Sequence, residues 1–242
     1  MIFLEIDGRL ITKEAPFSID WNSLSKISKE IGEIKEKMII GHGSGSFGIP
    51  IKEYENVLIG FPRIRESLKR LNLAFVSSLI ANGVSAISFS PASFILLKNG
   101  KVESIYLEQI KEALEKSFLP VIHEDAILDK EIGFCVLSVG KIFLKLLEYI
   151  KPKKILIASN SEVWIEGKKV KEINDGNFSE IFEKAKEKEK VKEAAMLSCA
   201  GGLEVSIFKW EKGKIRKAIE ESYGTKVRIR NMEILKDVNL FS

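Results

Sequence analysis

The stretch Met38-Ile-Ile-Gly-His-Gly-Ser-Gly-Ser-Phe-Gly-Ile-Pro50 decides the fold of this chain. A short apolar run, typical of a buried strand, passes directly into a turn made of small residues. Gly43, Gly45 and Gly48 permit positive φ angles and close approach, so successive backbone N–H groups of the turn can point at one anion. A glycine triplet by itself more often makes a tight turn without a ligand, and the segments around it must therefore decide.

Short apolar runs and helical patterns alternate along the rest of the chain. Strands are predicted at 2–6, 38–41, 84–89, 119–122, 153–158 and 226–229, and from Leu203 onward. Helices are predicted at 21–34, 63–82, 102–116, 138–150, 183–196 and 211–223, with Gly201-Gly202 ending the helix at 183–196. This alternation is typical of a mostly parallel central sheet covered by helices on both faces. The sequence therefore predicts an α/β protein, a three-layer α/β/α sandwich, with a single domain over residues 1–242.

The overall charge gives no signature of a nucleic-acid-binding surface. The 242 residues include 38 basic and 34 acidic side chains, and the net charge is only +4. Cys135 and Cys199 lack the paired spacing of a disulfide framework, a zinc site or a redox motif, so we expect ordinary buried residues. Composition therefore gives no reason to invoke nucleic acid or a structural metal.

The first residues carry Glu5 and Asp7 within an apolar run, which is typical of a first strand rather than of a signal peptide or a membrane span. We therefore expect a cytoplasmic protein without membrane association. Lys and Glu dominate the charged residues, while the chain has only 2 Cys and 4 Met. This bias is typical of proteins whose ion-pair networks hold at high temperature, and it favours a thermophilic source.

The glycine triplet also satisfies the G-x-G-x-x-G pattern of dinucleotide-binding Rossmann folds. In this chain, however, the pattern follows the second predicted strand rather than the first, and Pro50 lies two residues after its last glycine. These departures make a dinucleotide site the minor alternative.

Several segments, in order along the chain, resemble those of isopentenyl phosphate kinases, members of the amino-acid kinase superfamily. The segment 42–50 is similar to the family's H-G-G/A-G-S/A-F-G-H-P, and 6–13 resembles a worn copy of its L-G-G-S-x-x-T/S-x-K. The segments 86–94 and 119–125 resemble A-V-S-x-Q-P-S-S-F and V-P-V-I-H-G-D, and 223–227 is similar to the terminal G-T-x-I. The resemblance covers nearly the whole chain.

This resemblance implies an amino-acid-kinase fold and transfer of the γ-phosphoryl group of ATP, with Mg²⁺, to isopentenyl phosphate in archaeal-type isoprenoid synthesis. It also implies a small phosphorylated substrate and a homodimer. Because such a transfer joins two anions, the site must neutralise crowded phosphates with cations and backbone amides. Lys13 stands where the family keeps a catalytic lysine, and we expect its side chain in the same cleft as the glycine-rich loop.

The resemblance also implies binding positions. Those expected to contact the acceptor substrate are Gly43, Ser44, Gly48, Ile49 and Val139. Those expected to contact the nucleotide are Gly8, Gly45, Ser159, Asn160 and Lys190, the last placed by helix register. No metal ligand is assigned among the side chains.

Some of these positions depart from the family. Glu5 replaces a lysine and Asp7 a glycine, which places acidic groups where the β- and γ-phosphates would lie. Ile49 replaces the histidine that contacts the acceptor phosphate, Val139 replaces the glycine of an S-G-D block, and His42 is expected to be a packed, hydrogen-bonded residue. A catalytically weakened relative that binds a phosphate ligand or a partner therefore stands beside the active kinase as an alternative.

Overall fold

The computed structural model describes residues 1–49, 57–221 and 223–236, which form a series of strands and helices. The strands are β1 (Ile2–Ile6), β2 (Met38–His42), β3 (Ala86–Ser88), β4 (Ile95–Lys98), β5 (Lys101–Ile105), β6 (Leu119–His123), β7 (Asp125–Asp129), β8 (Gly133–Leu137), β9 (Lys154–Ser159), β10 (Trp164–Ile165), β11 (Lys168–Lys169), β12 (Glu172–Asn174), β13 (Val205–Lys209) and β14 (Thr225–Arg228). The helices are α1 (Trp21–Gly32), α2 (Val57–Ala81), α3 (Glu108–Glu115), α4 (Val139–Leu146), α5 (Phe178–Lys184), α6 (Lys188–Gly201), α7 (Lys214–Glu220) and α8 (Glu233–Lys236).

The central sheet has 8 strands in the order β12-β14-β13-β9-β1-β2-β6-β3. Neighbouring strands run parallel throughout this sheet, apart from the antiparallel pair of β13 and β14. A second sheet of 4 strands has the order β5-β4-β7-β8, and β10 pairs with β11 in a small hairpin. The predicted mostly parallel sheet is therefore confirmed.

The two faces of the central sheet bury alternate residues of each strand, since successive side chains of a strand point to opposite faces. In β1, Ile2, Leu4 and Ile6 pack in one apolar cluster with residues of α1, α2 and α7. Phe3 packs in a second cluster with residues of α4 and α6. Helices thus cover both faces, and the three-layer sandwich is confirmed. Glu5 shares the face of Phe3, on the side of α4 and α6.

Most predicted elements occur with shifted ends. Strands β1, β2, β6, β9 and β14 lie within one residue of their predicted positions, as does the start of α4. Helix α2 begins at Val57, earlier than the predicted residue 63. Helix α6 ends at Gly201, and Gly202 follows in the left-handed conformation with φ +61°. The prediction that this glycine pair ends the helix is therefore confirmed.

The helix predicted at 102–116 is wrong over residues 102–107. Residues Lys101–Ile105 form strand β5, which pairs with β4, and the helix begins only at Glu108. The reversal lies at Asn99 and Gly100, both with positive φ, which is the geometry that joins two strands in a tight hairpin. The apolar residues of this segment fit both the helical spacing and the alternation of a strand. The Asn99-Gly100 pair was the sequence feature that indicated a hairpin.

Two further helices are shorter than predicted. The segment predicted as one helix at 183–196 is divided, because α5 ends at Lys184 and α6 begins at Lys188. The helix predicted at 211–223 begins only at Lys214, after Gly213 with φ +84°. Cys135 and Cys199 are free thiols and only partly buried, which corrects the expectation of ordinary buried cysteines. Within the described ranges, the helices are too short or too polar to cross a membrane.

Candidate functional site

The carboxyl ends of four neighbouring strands meet at one edge of the central sheet. Ile6 pairs with His42 on one side and with Ala158 on the other, and His42 pairs with His123. The next residue along each strand therefore lies at the same edge: Asp7, Gly43, Glu124 and Ser159. Ligands of open parallel α/β sheets bind at this carboxyl edge, so these residues define the candidate site.

Protein acceptors hold most amides of the glycine-rich loop. Gly43 N–H donates to a carbonyl of β1 at 3.1 Å, and Ser46 N–H donates to Thr12 Oγ1 at 3.1 Å. The amides of Phe47 and Gly48 donate to carbonyls within the loop, at 3.0 and 3.3 Å. These bonds fix the loop and leave the four amides facing protein atoms.

Ser44 N–H donates to Glu124 Oε2 at 3.3 Å, so a side chain of the protein takes the place of an anion at this donor. Positive φ occurs at Gly45 (+51°) but not at Gly48, whose φ is −71°. Neighbouring acceptors thus hold most of the loop amides in this arrangement, and an external anion at the loop stays a prediction.

Gly8 and Gly45 let the turn after β1 pack backbone against backbone on the glycine-rich loop. A Cβ atom at Gly8 would lie 2.2 Å from Gly45 N, and a Cβ atom at Gly45 would lie 2.2 Å from Thr12 Oγ1. Thr12 also donates its hydroxyl to the Gly8 carbonyl at 2.9 Å. The two glycines therefore join two loops of the site, and their contact with a nucleotide stays a prediction.

Lys190 reaches from α6 to the carboxyl edge, where its ammonium group forms an ion pair with Asp7 and donates to Ser159 Oγ. Arg9 forms a second ion pair with Asp7 at 2.6 Å. Burial works to raise the pKa of Asp7, but hydrogen bonds from Arg9 and the charge of Lys190 outweigh it and lower the pKa to about 2. Lys190 and Ser159, two of the predicted nucleotide-binding residues, thus meet at this edge.

Three further carboxyl groups lie within electrostatic range of one another: Glu5 on β1, Glu124 after β6 and Glu193 on α6. Burial, and then the charges of Glu193 and Asp7, raise the pKa of Glu5 well above its usual value. Burial also raises the pKa of Glu124 and of Glu193, although hydrogen bonds oppose it. Within the described part of the chain, Glu5 Oε2 is buried without a hydrogen-bond partner.

His42, at the end of β2, is a packed residue, as predicted. Its ring nitrogens contact the Gly43 carbonyl at 3.1 Å and Asn72 Oδ1 at 3.2 Å. Burial, followed by the neighbouring His123, lowers the pKa of His42 to about 4. His42 is therefore neutral at pH 7 and brings no positive charge to a phosphate.

Asp125, next after Glu124, is fully buried and its charge is balanced within the fold. It pairs with Arg65 Nε at 3.3 Å and accepts hydrogen bonds from Ser90 Oγ at 2.7 Å and from Ala92 N–H at 3.2 Å. These contacts tie strand β7 to α2 and to the turn at 91–93. Asp125 therefore holds these elements together rather than adding free charge to the edge.

The remaining predicted residues are not partners of Lys190. Lys13 is exposed, and its charge acts on Asp20, which caps α1, so its catalytic role stays a prediction. Asn160 is also exposed, with its side-chain oxygen 3.4 Å from Ser159 Oγ.

Ile49 and Val139, the predicted acceptor-side residues, both contact apolar side chains. Ile49 packs, half-buried, against a cluster that contains Ile64 and Phe134. Val139 is buried, and its Cγ1 lies 2.2 Å from where a Cβ atom at Gly41 would stand. The absence of a side chain at Gly41 thus leaves the space that Val139 fills. Contact of Ile49 or Val139 with a substrate stays a prediction.

Sequence reasoning missed Thr12, Glu124 and Glu193 as parts of the site. Glu124 lies two residues after the strand predicted at 119–122, so its place at the carboxyl edge could have been predicted from the strand end. Glu193 lies three residues after Lys190, which is the spacing of neighbours on one helix face. The long Lys/Glu pattern around it gave no sign of which face is buried.

In this arrangement of the site, a nucleoside triphosphate would have to displace the existing ion pairs before its phosphates met a cation. Lys190 and Arg9 are both paired with Asp7, while Glu5, Glu124 and Glu193 add acidic groups. Among the described residues, no His, Cys, Asp and Glu side chains form a group of three or more that could hold a metal ion. A polyphosphate placed here would face carboxyl groups before it met an unpaired cation.

The fold and the carboxyl edge place this protein among the open α/β proteins that bind ligands where parallel strands end. The family model described as "Amino acid kinase family" matches residues 1–209, and the chain belongs to that family.

Isopentenyl phosphate kinases are similar to this chain in sequence and in fold. The enzyme of Methanocaldococcus jannaschii is 29% identical over 204 residues, which cover 75% of this chain and 78% of the relative. That of Methanothermobacter thermautotrophicus is 29% identical over 179 residues, or 66% and 67% of the two chains. A solved structure of isopentenyl phosphate kinase superposes with a TM-score of 0.80 at 24% identity, covering 94% of this chain and 99% of the other. The resemblance found in the sequence is confirmed, and the protein is isopentenyl-phosphate-kinase-like.

Proposed function

We propose that this protein is a small-molecule phosphotransferase that transfers the γ-phosphoryl group of ATP to isopentenyl phosphate. The observation that carries the proposal is the position of Lys190, which meets Asp7 and Ser159 at the carboxyl edge beside the glycine-rich loop. The names of the similar proteins support the same acceptor.

The chain's own residues have separate tasks in this proposal. Lys190 supplies positive charge at the carboxyl edge, and Ser159 orients its ammonium group. Thr12, bonded to Ser46, holds the segment before Lys13 against the glycine-rich loop, which supports Lys13 as a second cation for the site. ATP with Mg²⁺ is the phosphoryl donor that family membership supports.

Conversion of isopentenyl phosphate to its diphosphate by the purified chain, followed with Mg²⁺ and ATP, tests this proposal. Lys190→Met removes the ammonium charge at similar side-chain length, and we expect turnover to fall at least about tenfold, or about 1.4 kcal/mol of transition-state stabilisation. Lys186→Met, at an exposed position shortly before it, is the matched control and should behave as wild type. Wild-type protein that forms no diphosphate would overturn the proposal.

A second candidate is a catalytically weakened relative that binds a phosphate ligand or a partner. The contact of Glu124 with Ser44 N–H favours it, because the donor is already taken by a carboxylate. Calorimetric titrations with Mg·ATP and, separately, with isopentenyl phosphate distinguish the two: binding without turnover supports the second candidate.

We further propose that the protein acts as a homodimer in the cytoplasm of a thermophile. Helix α2 exposes Leu73 and Ile80, two turns apart on one face, at 68% and 56%. Surface ion pairs such as those of Arg228 with Glu172 and Glu204 support the thermophilic source. Light scattering on the purified chain tests the dimer, and a single-chain mass would exclude it.

A further inference from the structure

Two carboxylates of the chain hold donor groups that face the candidate site. The first is Glu124, whose Oε2 accepts Ser44 N–H at 3.3 Å. Ser44 lies within the glycine-rich loop, and a Cβ atom at Gly43 would stand 3.9 Å from the same oxygen. Glu124 therefore lies directly against the loop backbone, with its carboxylate at the Ser44 amide.

The second carboxylate is that of Glu193, which lies at the amino end of α4. Its Oε1 accepts the hydroxyl of Ser138, the residue that caps this helix, at 3.1 Å, and the Gly140 backbone also donates to it. A Cβ atom at Gly140 would stand 1.6 Å from Glu193 Oε1, so only glycine admits this contact. The positive end of the helix dipole favours an anion at this place.

Further charged groups surround these two carboxylates. Glu5 on β1 and Asp7 after it are acidic, and Lys190 on α6 is paired with Asp7. Glu5 is only 8% exposed, and its Oε2 has no hydrogen-bond partner among the described residues. An incoming phosphate would therefore meet donors that are occupied and carboxyl groups that repel it.

We propose that Glu124 and Glu193 are specificity-determining residues, internal anions that an oxyanion ligand must displace from Ser44 and from the α4 amino end before it binds. The inference deepens the proposed function, on which its site rests. Each carboxylate satisfies its donor in the free protein, so ligand affinity is reduced by the free energy of breaking that contact.

Titration of the full chain with inorganic pyrophosphate at pH 8, by calorimetry, tests this inference. Glu124→Gln and Glu193→Gln remove one negative charge each and nearly conserve side-chain shape. We expect each to bind pyrophosphate at least about tenfold more tightly than wild type, or about 1.4 kcal/mol. Glu115→Gln, at an exposed position on α3, removes the same charge elsewhere and should leave the affinity unchanged.

Pyrophosphate affinities that stay at the wild-type value in both glutamine variants would overturn the inference. The wild-type protein gives a second readout that needs no variant: bound pyrophosphate should shift the amide resonances of Ser44 and Gly140, and binding that moves neither would also overturn it. Pyrophosphate binding requires no turnover. If the wild-type chain is inactive but the glutamine variants bind pyrophosphate more tightly, the kinase proposal fails and this inference stands. If the chain is active but the variants bind pyrophosphate with unchanged affinity, this inference fails and the kinase proposal stands.

Discussion

The absence of a Cβ atom at Gly8 and Gly45 lets the turn after β1 and the glycine-rich loop approach each other closely. The Cα of Gly8 faces Gly45 N so closely that no side chain fits between the loops. The sequence has glycine at positions 8 and 45, and the predicted explanation was contact with a phosphate-containing ligand. The observed reason is backbone packing, a long-range contact that local spacing does not reveal.

Gly8→Ala should destabilise the chain by about 1–3 kcal/mol, because the added methyl group must push two backbone segments apart. Urea unfolding of the variant and of wild type measures this difference. Gly176→Ala is the matched control: its Cβ atom would meet one side-chain oxygen at an ordinary 3.4 Å, and we expect a change within about 0.5 kcal/mol. Equal stability of the Gly8 variant and the control would contradict the packing role.

Glu5→Gln should stabilise the protein at pH 8 by about 1–3 kcal/mol, because a buried, unpaired carboxylate is costly. Burial and neighbouring carboxylates raise the pKa of Glu5, so its contribution to stability is full at low pH and is lost as pH rises through the folded-state pKa. The advantage of Gln over Glu should therefore shrink as pH falls toward 4. Thermal unfolding of both proteins from pH 8 to pH 4 measures this, and a difference that does not vary with pH would exclude a charged Glu5.

At the scale of secondary-structure elements, the spacing of apolar residues along the chain determined which elements could be predicted from the sequence. Strand β1 was predicted from its apolar run. Lys190 was assigned from the resemblance to the family, with helix register used to choose among the lysines of this segment. The hairpin of β4 and β5 was missed, because its apolar residues also fit a helix. Glu193 was missed because a Lys/Glu-rich helix does not show which of its charged residues the fold buries.

The same hairpin depends on one carboxylate. Asp129 accepts the amides of Asn99 at 3.0 Å and Gly100 at 2.7 Å, and those of Glu131 and Ile132 at 2.9 and 3.1 Å. Asp129→Ala should therefore raise the hydrogen-exchange rates of these four amides, while amides in β1 stay protected. Unchanged exchange at Asn99 and Gly100 would show that the turn holds without the carboxylate.

Over the whole molecule, the fold was predictable and the chemistry of the site was predictable only in part. Alternating apolar runs and helical patterns determined the layers, because burial on both faces of a parallel sheet imposes that pattern. The acidic carboxyl edge depends on contacts between β1, β6 and α6, which lie far apart in the chain. Glu5 and Asp7 were visible as departures from the family, and Glu124 could be placed from the end of its strand, whereas Glu193 became visible only in three dimensions.

The most direct test of this account is the turnover of Glu5→Lys/Ile49→His relative to wild type, with ATP and isopentenyl phosphate followed by phosphorus resonance. We expect the acidic Glu5 and the apolar Ile49, which replace a lysine and a histidine of the family, to limit phosphoryl transfer. We therefore predict slight formation of isopentenyl diphosphate by wild type and a rise of at least about tenfold in the double variant, or about 1.4 kcal/mol. Robust wild-type turnover that falls in the double variant would contradict this account.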